Sequence, residues 1–268
     1  MMRHCAILAL SLLAAACQSV GESEHPLRGS EQLTASAEAQ ARLADRLLAG
    51  GDADGAASLY RRAALAEEDN ATLYEDLGWA LLSANRASEA EGAFREALEL
   101  DPALGTAREG QGAAMLAQGK AAEALAIFTD LQSTAIDPAR RALLRGTALD
   151  LLGRSEEAQQ VYRTAIGSSA RDVSLHSNLA LSLAISGDME EAVETARRAA
   201  TDPAAQPKHR RNLALVLAMA GEADAAYAVA HGFLPEDEVE RLVASGPRIA
   251  AIPDPRRRAE AIGLYRGV

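Results

Sequence analysis

Apolar and polar positions in this chain follow a helical rhythm that restarts every 34 residues. Residues 71–104, ATLYEDLGWALLSANRASEAEGAFREALELDPAL, show it best. Tyr74, Leu77, Gly78 and Leu81 fall at i, i+3, i+4 and i+7, the spacing of one buried helix face. Asn85-Arg86-Ala87 predicts a turn. Ala90, Phe94 and Ala97 mark a second helix, which Asp101-Pro102 ends because proline biases its predecessor away from helix and cannot continue one. A register opened at Ala37 gives six such units without insertion: 37–70, 71–104, 105–138, 139–172, 173–206 and 207–240.

Several columns of this register agree. The eighth reads Ala44, Gly78, Gly112, Gly146, Ala180 and Ala214, and the twentieth is always alanine, from Ala56 to Ala226. Small residues there let two helices approach closely. Column twenty-four carries Tyr60, Phe94, Phe128 and Tyr162, rings expected to fill the space beside the next unit. The turn column, Gly51, Asn85, Gly119, Gly153, Gly187 and Gly221, holds residues that tolerate the left-handed conformation ending a helix. Column seven is leucine except at Gln111 and Arg145, so looser packing is expected between the third and fourth units. Column twenty-four shrinks to Ala196 in the fifth unit, and the sixth breaks at Gly232 and Pro235.

This pattern resembles the tetratricopeptide repeat over residues 37–240. The resemblance implies an all-α solenoid, a right-handed superhelix of antiparallel helix pairs, with residues 235–246 as a C-terminal capping helix. Pro247, Pro253 and Pro255 make residues 247–268 read as an extended, solvated tail with a basic cluster at Arg256–Arg258. The alternative is a short helix over 255–266 that docks on a partner.

Charge narrows the partners. The 268 residues carry 38 acidic and 27 basic side chains, a net −11, which argues against nucleic acid, whose phosphates require a cationic face. The cysteines, Cys5 and Cys17, both lie near the start, leaving none for a disulfide or metal site in the body. Residues 1–16 pair Arg3 with a short apolar run and small residues, the pattern of a secretory signal peptide. Ala15-Ala16-Cys17 resembles a bacterial lipobox, although Ala14 stands where leucine is preferred. The resemblance implies lipidation of Cys17 and, with Gln18 following, an outer-membrane anchor facing the periplasm. The alternative is cleavage after Ala16 and a soluble periplasmic protein. Residues 17–36, polar and punctuated by Gly21, Pro26 and Gly29, read as a flexible tether.

No catalytic constellation stands out. The five histidines lack metal-ligand spacing, and the glycines recur at repeat turns, so the chain reads as a non-enzyme with no cofactor and no small-molecule substrate. Binding is different. In the resembled repeats, columns two, five, six, nine and twelve of the first helix line the concave surface. Carried over, they give Lys208, Arg211, Asn178 and Asn212 as polar donors and Trp79, Leu181 and Leu215 as apolar lining for a protein partner. Structural roles remain open for them, since Asn-Leu-Ala is common in such helices and Trp79 could cover a neighbouring helix.

Residues 208–243, with the run RNLALVLAM, the Gly221 turn and the restart LPEDE, resemble the end of the TadD family of tight-adherence (Flp) pilus lipoproteins. That resemblance implies a pilotin-like role, binding a secretin subunit and aiding its assembly. The alternative is a general envelope adaptor that recruits cell-wall enzymes or proteases through the same groove.

Overall fold

A computed structural model describes residues 26–130, 137–169 and 171–264. Among them are fourteen α-helices and no strand. The first helices of the six units are α1 (Pro26–Ala49), α3 (Ala71–Ser83), α5 (Gly105–Ala117), α7 (Pro138–Leu151), α9 (Val173–Ser186) and α11 (Pro207–Met219). The second helices are α2 (Ala53–Ala66), α4 (Ala87–Leu100), α6 (Ala121–Asp130), α8 (Ser155–Ser168), α10 (Met189–Thr201) and α12 (Ala223–Ala230). Two more follow, α13 (Glu236–Ala250) and α14 (Pro255–Ile262). The expected repeat solenoid is the observed one.

Each helix pair turns the same way. The turn residues all have positive φ, from 59° at Asn85 to 100° at Gly187. In every unit the next residue's N–H reaches back to the carbonyl five positions earlier: Asp52 to Leu47, Arg86 to Leu81, Lys120 to Met115, Arg154 to Leu149, Asp188 to Leu183 and Glu222 to Leu217. This is the helix-ending arrangement in which a left-handed residue satisfies otherwise orphaned carbonyls.

The rings of column twenty-four are buried. They rest on the small residue of their own unit, a contact the register did not single out, and Phe94 packs against the next unit as well. A Cβ built on Gly146 would lie 2.3 Å from the Tyr162 ring; on Gly112 it would meet Phe128 at 2.5 Å, and on Gly78 it would meet Phe94 at 2.6 Å. Phe94 also touches the next unit, at Gly110. Where column twenty-four is alanine, at Ala196 and Ala230, column eight is alanine too, so small and large residues trade volume within a unit. Gly146→Ala is therefore expected to destabilise by about 2 kcal/mol, because the overpacking cost exceeds the helix-propensity gain of about 1 kcal/mol. Urea denaturation of the variant and the unaltered chain checks this.

First helices of neighbouring units pack on each other, α3 on α5, α7 on α9 and α9 on α11, which makes them the inner face of the solenoid. Among the described residues no comparable packing joins α5 to α7, nor α1 to α3. The apolar core falls into separate clusters. One cluster runs from Ala44 to Ala114 and another from Ala139 to Ile249. Leu116, Phe128, Leu144, Leu151, Ile185 and Ala259 form a third between them. The polar column-seven residues, half-buried Gln111 and exposed Arg145, fall on either side of this joint, as their sequence suggested.

Both ends depart from expectation. The helix α1 begins at Pro26, well inside the stretch read as tether. Proline suits the first helical turn, and Glu31, Gln32, Leu33 and Ala35 are good helix formers. The signal segment, Cys17 and residues 18–25 lie outside the described residues. The capping helix runs past 246 through Pro247 to Ala250. Gly246 lets it lie against α11, since a Cβ there would stand 2.4 Å from the Ala218 backbone. Most of the presumed tail is also folded. Asp254 caps α14 by accepting from the Arg256 N–H at 2.9 Å, Pro255 opens the helix, and Gly263 ends it at φ 81°. This helix folds back onto α7, α9 and α13 of its own chain.

Candidate protein-binding groove

Column positions on the inner face differ in charge between the two halves of the array. Units one to three contribute Asp45, Glu75, Asp76 and Glu109, beside a Glu38–Arg42 pair. Units four to six contribute Arg140, Lys208 and Arg211, with one buried acid, Asp150. Burial, and then Glu75 and Asp45, push the Asp76 carboxyl up to about 6. Repulsion among the acids is thus relieved by protonation only slightly below neutrality.

A cavity of about 380 Å³ opens in the basic half. Six of the seven groove residues read from the sequence line it: Asn178, Leu181, Lys208, Arg211, Asn212 and Leu215. Leu181 and Leu215 form a floor only 4% and 5% exposed. Asn212 Nδ2 donates to Ser177 Oγ at 3.0 Å, leaving its second N–H and its carbonyl oxygen to offer a partner. Arg211 stands 4.0 Å from Glu238 and is half exposed. Lys208 is exposed and makes no ion pair or hydrogen bond among the described residues. A partner's carboxylate would meet this lysine at little desolvation cost.

The neighbouring His209 serves structure. Its Nδ1 accepts the Gln206 N–H at 2.9 Å, closing a capping box at the start of α11. Burial and then Lys208 hold its pKa below the ordinary value, so it presents a neutral ring near pH 7.

Trp79 lies outside the cavity but is linked to it. Its ring packs edge-on against Phe94, 5.2 Å between centroids, while the Arg140 guanidinium lies over it at 5.5 Å. Arg140 lines the cavity and donates to buried Glu109. Trp79, Glu109 and Arg140 thus bridge the second, third and fourth units across the inner face. The indole both covers a neighbouring ring and supports a groove cation.

Some wall residues were not singled out by sequence. Arg140 occupies column two, the same column as Lys208, so the register itself was a sufficient signal. Ile262, Gly263 and Leu264, following or ending α14, close one side of the cavity. Beneath it lies Asp150, 1% exposed in a column otherwise filled by leucine or alanine. Ser182 Oγ donates to it at 2.7 Å and the Tyr162 hydroxyl at 3.5 Å. Burial outweighs these donors and pushes its carboxyl up to about 7.

A larger hollow of about 810 Å³ lies between α6, α7 and α8. Among the described residues no group of His, Cys, Asp and Glu is arranged to hold a metal, and no helix is long and apolar enough to cross a membrane.

Stacked helix pairs presenting a polar-rimmed inner groove define a helical-repeat scaffold. The tetratricopeptide-repeat description matches residues 41–105, 76–140 and 143–209, and a second description of the same repeat matches 207–231. The chain belongs to the tetratricopeptide-repeat family, whose fold is a protein-interaction scaffold. Among solved structures it is similar to PilW, described as a widely conserved type IV pilus biogenesis factor. That similarity has 15% identity and a TM-score of 0.63, covering 78% of this chain and 97% of that one. Similarity to pilF of Pseudomonas aeruginosa has 14% identity and a TM-score of 0.58, covering 81% and 99%. A tetratricopeptide repeat protein of Parabacteroides merdae shares 16% identity with a TM-score of 0.57, covering 86% and 98%. At these identities the likeness is one of fold. No curated protein matches the chain.

Proposed function

We propose that this chain is an envelope-anchored adaptor of pilus assembly, capturing a segment of a secretin subunit in its inner groove as a pilotin-like lipoprotein of the tight-adherence type. The observation that carries the binding role is the cavity edged by Lys208, Arg211, Asn178 and Asn212 over an apolar floor. Fixed polar donors around a hydrophobic patch suit a peptide with an acidic group beside aliphatic side chains. The pilus assignment is supported by the C-terminal run that resembles TadD and by the fold shared with PilW and pilF. Anchoring through Cys17 would hold the array at the inner leaflet of the outer membrane, where secretin subunits must arrive.

Replacing Lys208 and Arg211 by glutamate and Asn212 by alanine should weaken secretin capture by at least about tenfold, equivalent to roughly 1.4 kcal/mol. Melting should fall only slightly, because the two cations are exposed, surface ion pairs contribute at most about 1 kcal/mol, and the Asn212 bond to Ser177 adds about 1 kcal/mol. A collapsed melt would show that the three residues are structural. In cells, deletion of the gene should abolish secretin multimers in the outer membrane, and normal multimers would remove the pilotin role. Intact mass of the mature protein distinguishes a lipidated Cys17 from a free one.

A further inference from the structure

The inner face of units three to five already holds a ligand, the chain's own α14. We infer that α14 is an exchangeable occupant of the groove, and that the groove's outside partner carries an amphipathic segment of the same chemistry. This rests on the adaptor reading above and specifies what such a partner presents.

The seat is built around one arginine. Arg258 is 9% exposed, and its guanidinium donates to the Ile185 carbonyl at 2.5 Å and the Ala184 carbonyl at 3.5 Å, at the C-terminal end of α9. It also donates to the Ile252 carbonyl at 2.6 Å and 3.1 Å. A cation at a helix C-terminus meets the negative end of the helix dipole and satisfies carbonyls that have no intrahelical donor. Ala259 enters the apolar cluster with Leu116, Leu144 and Ile185, and Ile262 and Leu264 pack against its edge. Recognition therefore uses backbone carbonyls and aliphatic surface. Another chain bearing arginine and aliphatic residues at the same spacing could reproduce it.

The grip is slight. Only Arg258 and Ala259 of α14 are buried, while Arg256, Arg257, Glu260 and Ala261 are exposed. Eight residues are too few for a helix that persists without its seat. The helix also leaves unfilled the cavity edged by Lys208 and Arg211, ending at its wall. A partner that copied the arginine and aliphatic contacts, and added a carboxylate toward those two cations, would hold more of the groove than α14 does. Displacement follows from that difference, since the occupant with the larger differential affinity sets the population.

Two measurements test this without any secretin or other partner, so their failure is separate from failure of the adaptor reading. In the unaltered full-length chain, α14 amides should exchange with deuterium at least about a hundredfold faster than those of α9 and α13, as local opening allows. In the full-length Arg258→Glu chain, which sets a carboxylate against the same carbonyls, a fluorescent peptide of residues 252–264 should bind in trans. Its Kd should be at least about tenfold lower than toward the unaltered chain, whose seat is filled. The peptide carrying the same Arg258→Glu change should not bind. If α14 exchanges only with global unfolding, it is a fixed cap and the inference fails. Absence of peptide binding to a folded variant with deprotected α14 would also overturn it. A concentration-dependent dimer of the unaltered chain would assign the exchange to a second copy and overturn the arrangement within one chain.

Discussion

Asp150→Asn should make the protein more resistant to denaturation at pH 8 and leave it nearly unchanged at pH 4. The carboxyl is buried and its pKa is pushed up to about 7 from an ordinary value of 3.8. In the unfolded chain it ionises near pH 4, so between roughly pH 4 and pH 7 the folded protein holds a proton that the unfolded one has lost. Stability contributed by this site is therefore fully present at low pH and declines as pH rises to about 7. At about 1.4 kcal/mol per pH unit, the loss is on the order of 4 kcal/mol by pH 8. Asparagine keeps an acceptor for Ser182 and carries no charge, so the decline should vanish in the variant. Urea midpoints of both proteins from pH 4 to pH 8 measure it. Parallel curves would show that Asp150 is ionised in the fold at no cost and that its burial is relieved by water.

Asp150 also shows what the sequence could and could not convey. Its column holds Leu48, Leu82, Leu116, Ala184 and Ala218 in the other units, so an acid among apolar residues was visible as an exception. What surrounds it was not, because Ser182 and Tyr162 reach it from other helices. The helix pairs, their turns and the closely packed column of small residues were legible because each is a local matter of period and backbone freedom. Six groove residues share one cavity for the same reason, as equal columns stack on equal faces. The fate of residues 247–264 was decided by contacts across the array. Arginines that read as a solvated cluster include one whose partners are carbonyls of α9, a placement that no spacing within the segment encodes. The capping residues Asp254, Pro255 and Gly263 are local features of the sequence, but the proline among them reads equally as part of an extended tail.

Phe94→Ala should cost about 3–5 kcal/mol, the range for emptying a buried ring site that cannot collapse. The ring is fully buried, and glycines at 78 and 110 approach it from two units with no side chain that could move into the space. Trp79 would lose its edge-on neighbour, and with it part of the support beneath Arg140. The damage should stay local. In a solenoid each unit is stabilised chiefly by its neighbours, and here a small separate cluster joins the third and fourth units between the two larger ones. Hydrogen exchange in the variant should therefore accelerate through α1 to α5, while α9, α11 and α13 keep their protection. An equal loss in both halves would mean that the joint transmits stability as firmly as any other interface, and that the polar residues at 111 and 145 do not loosen it.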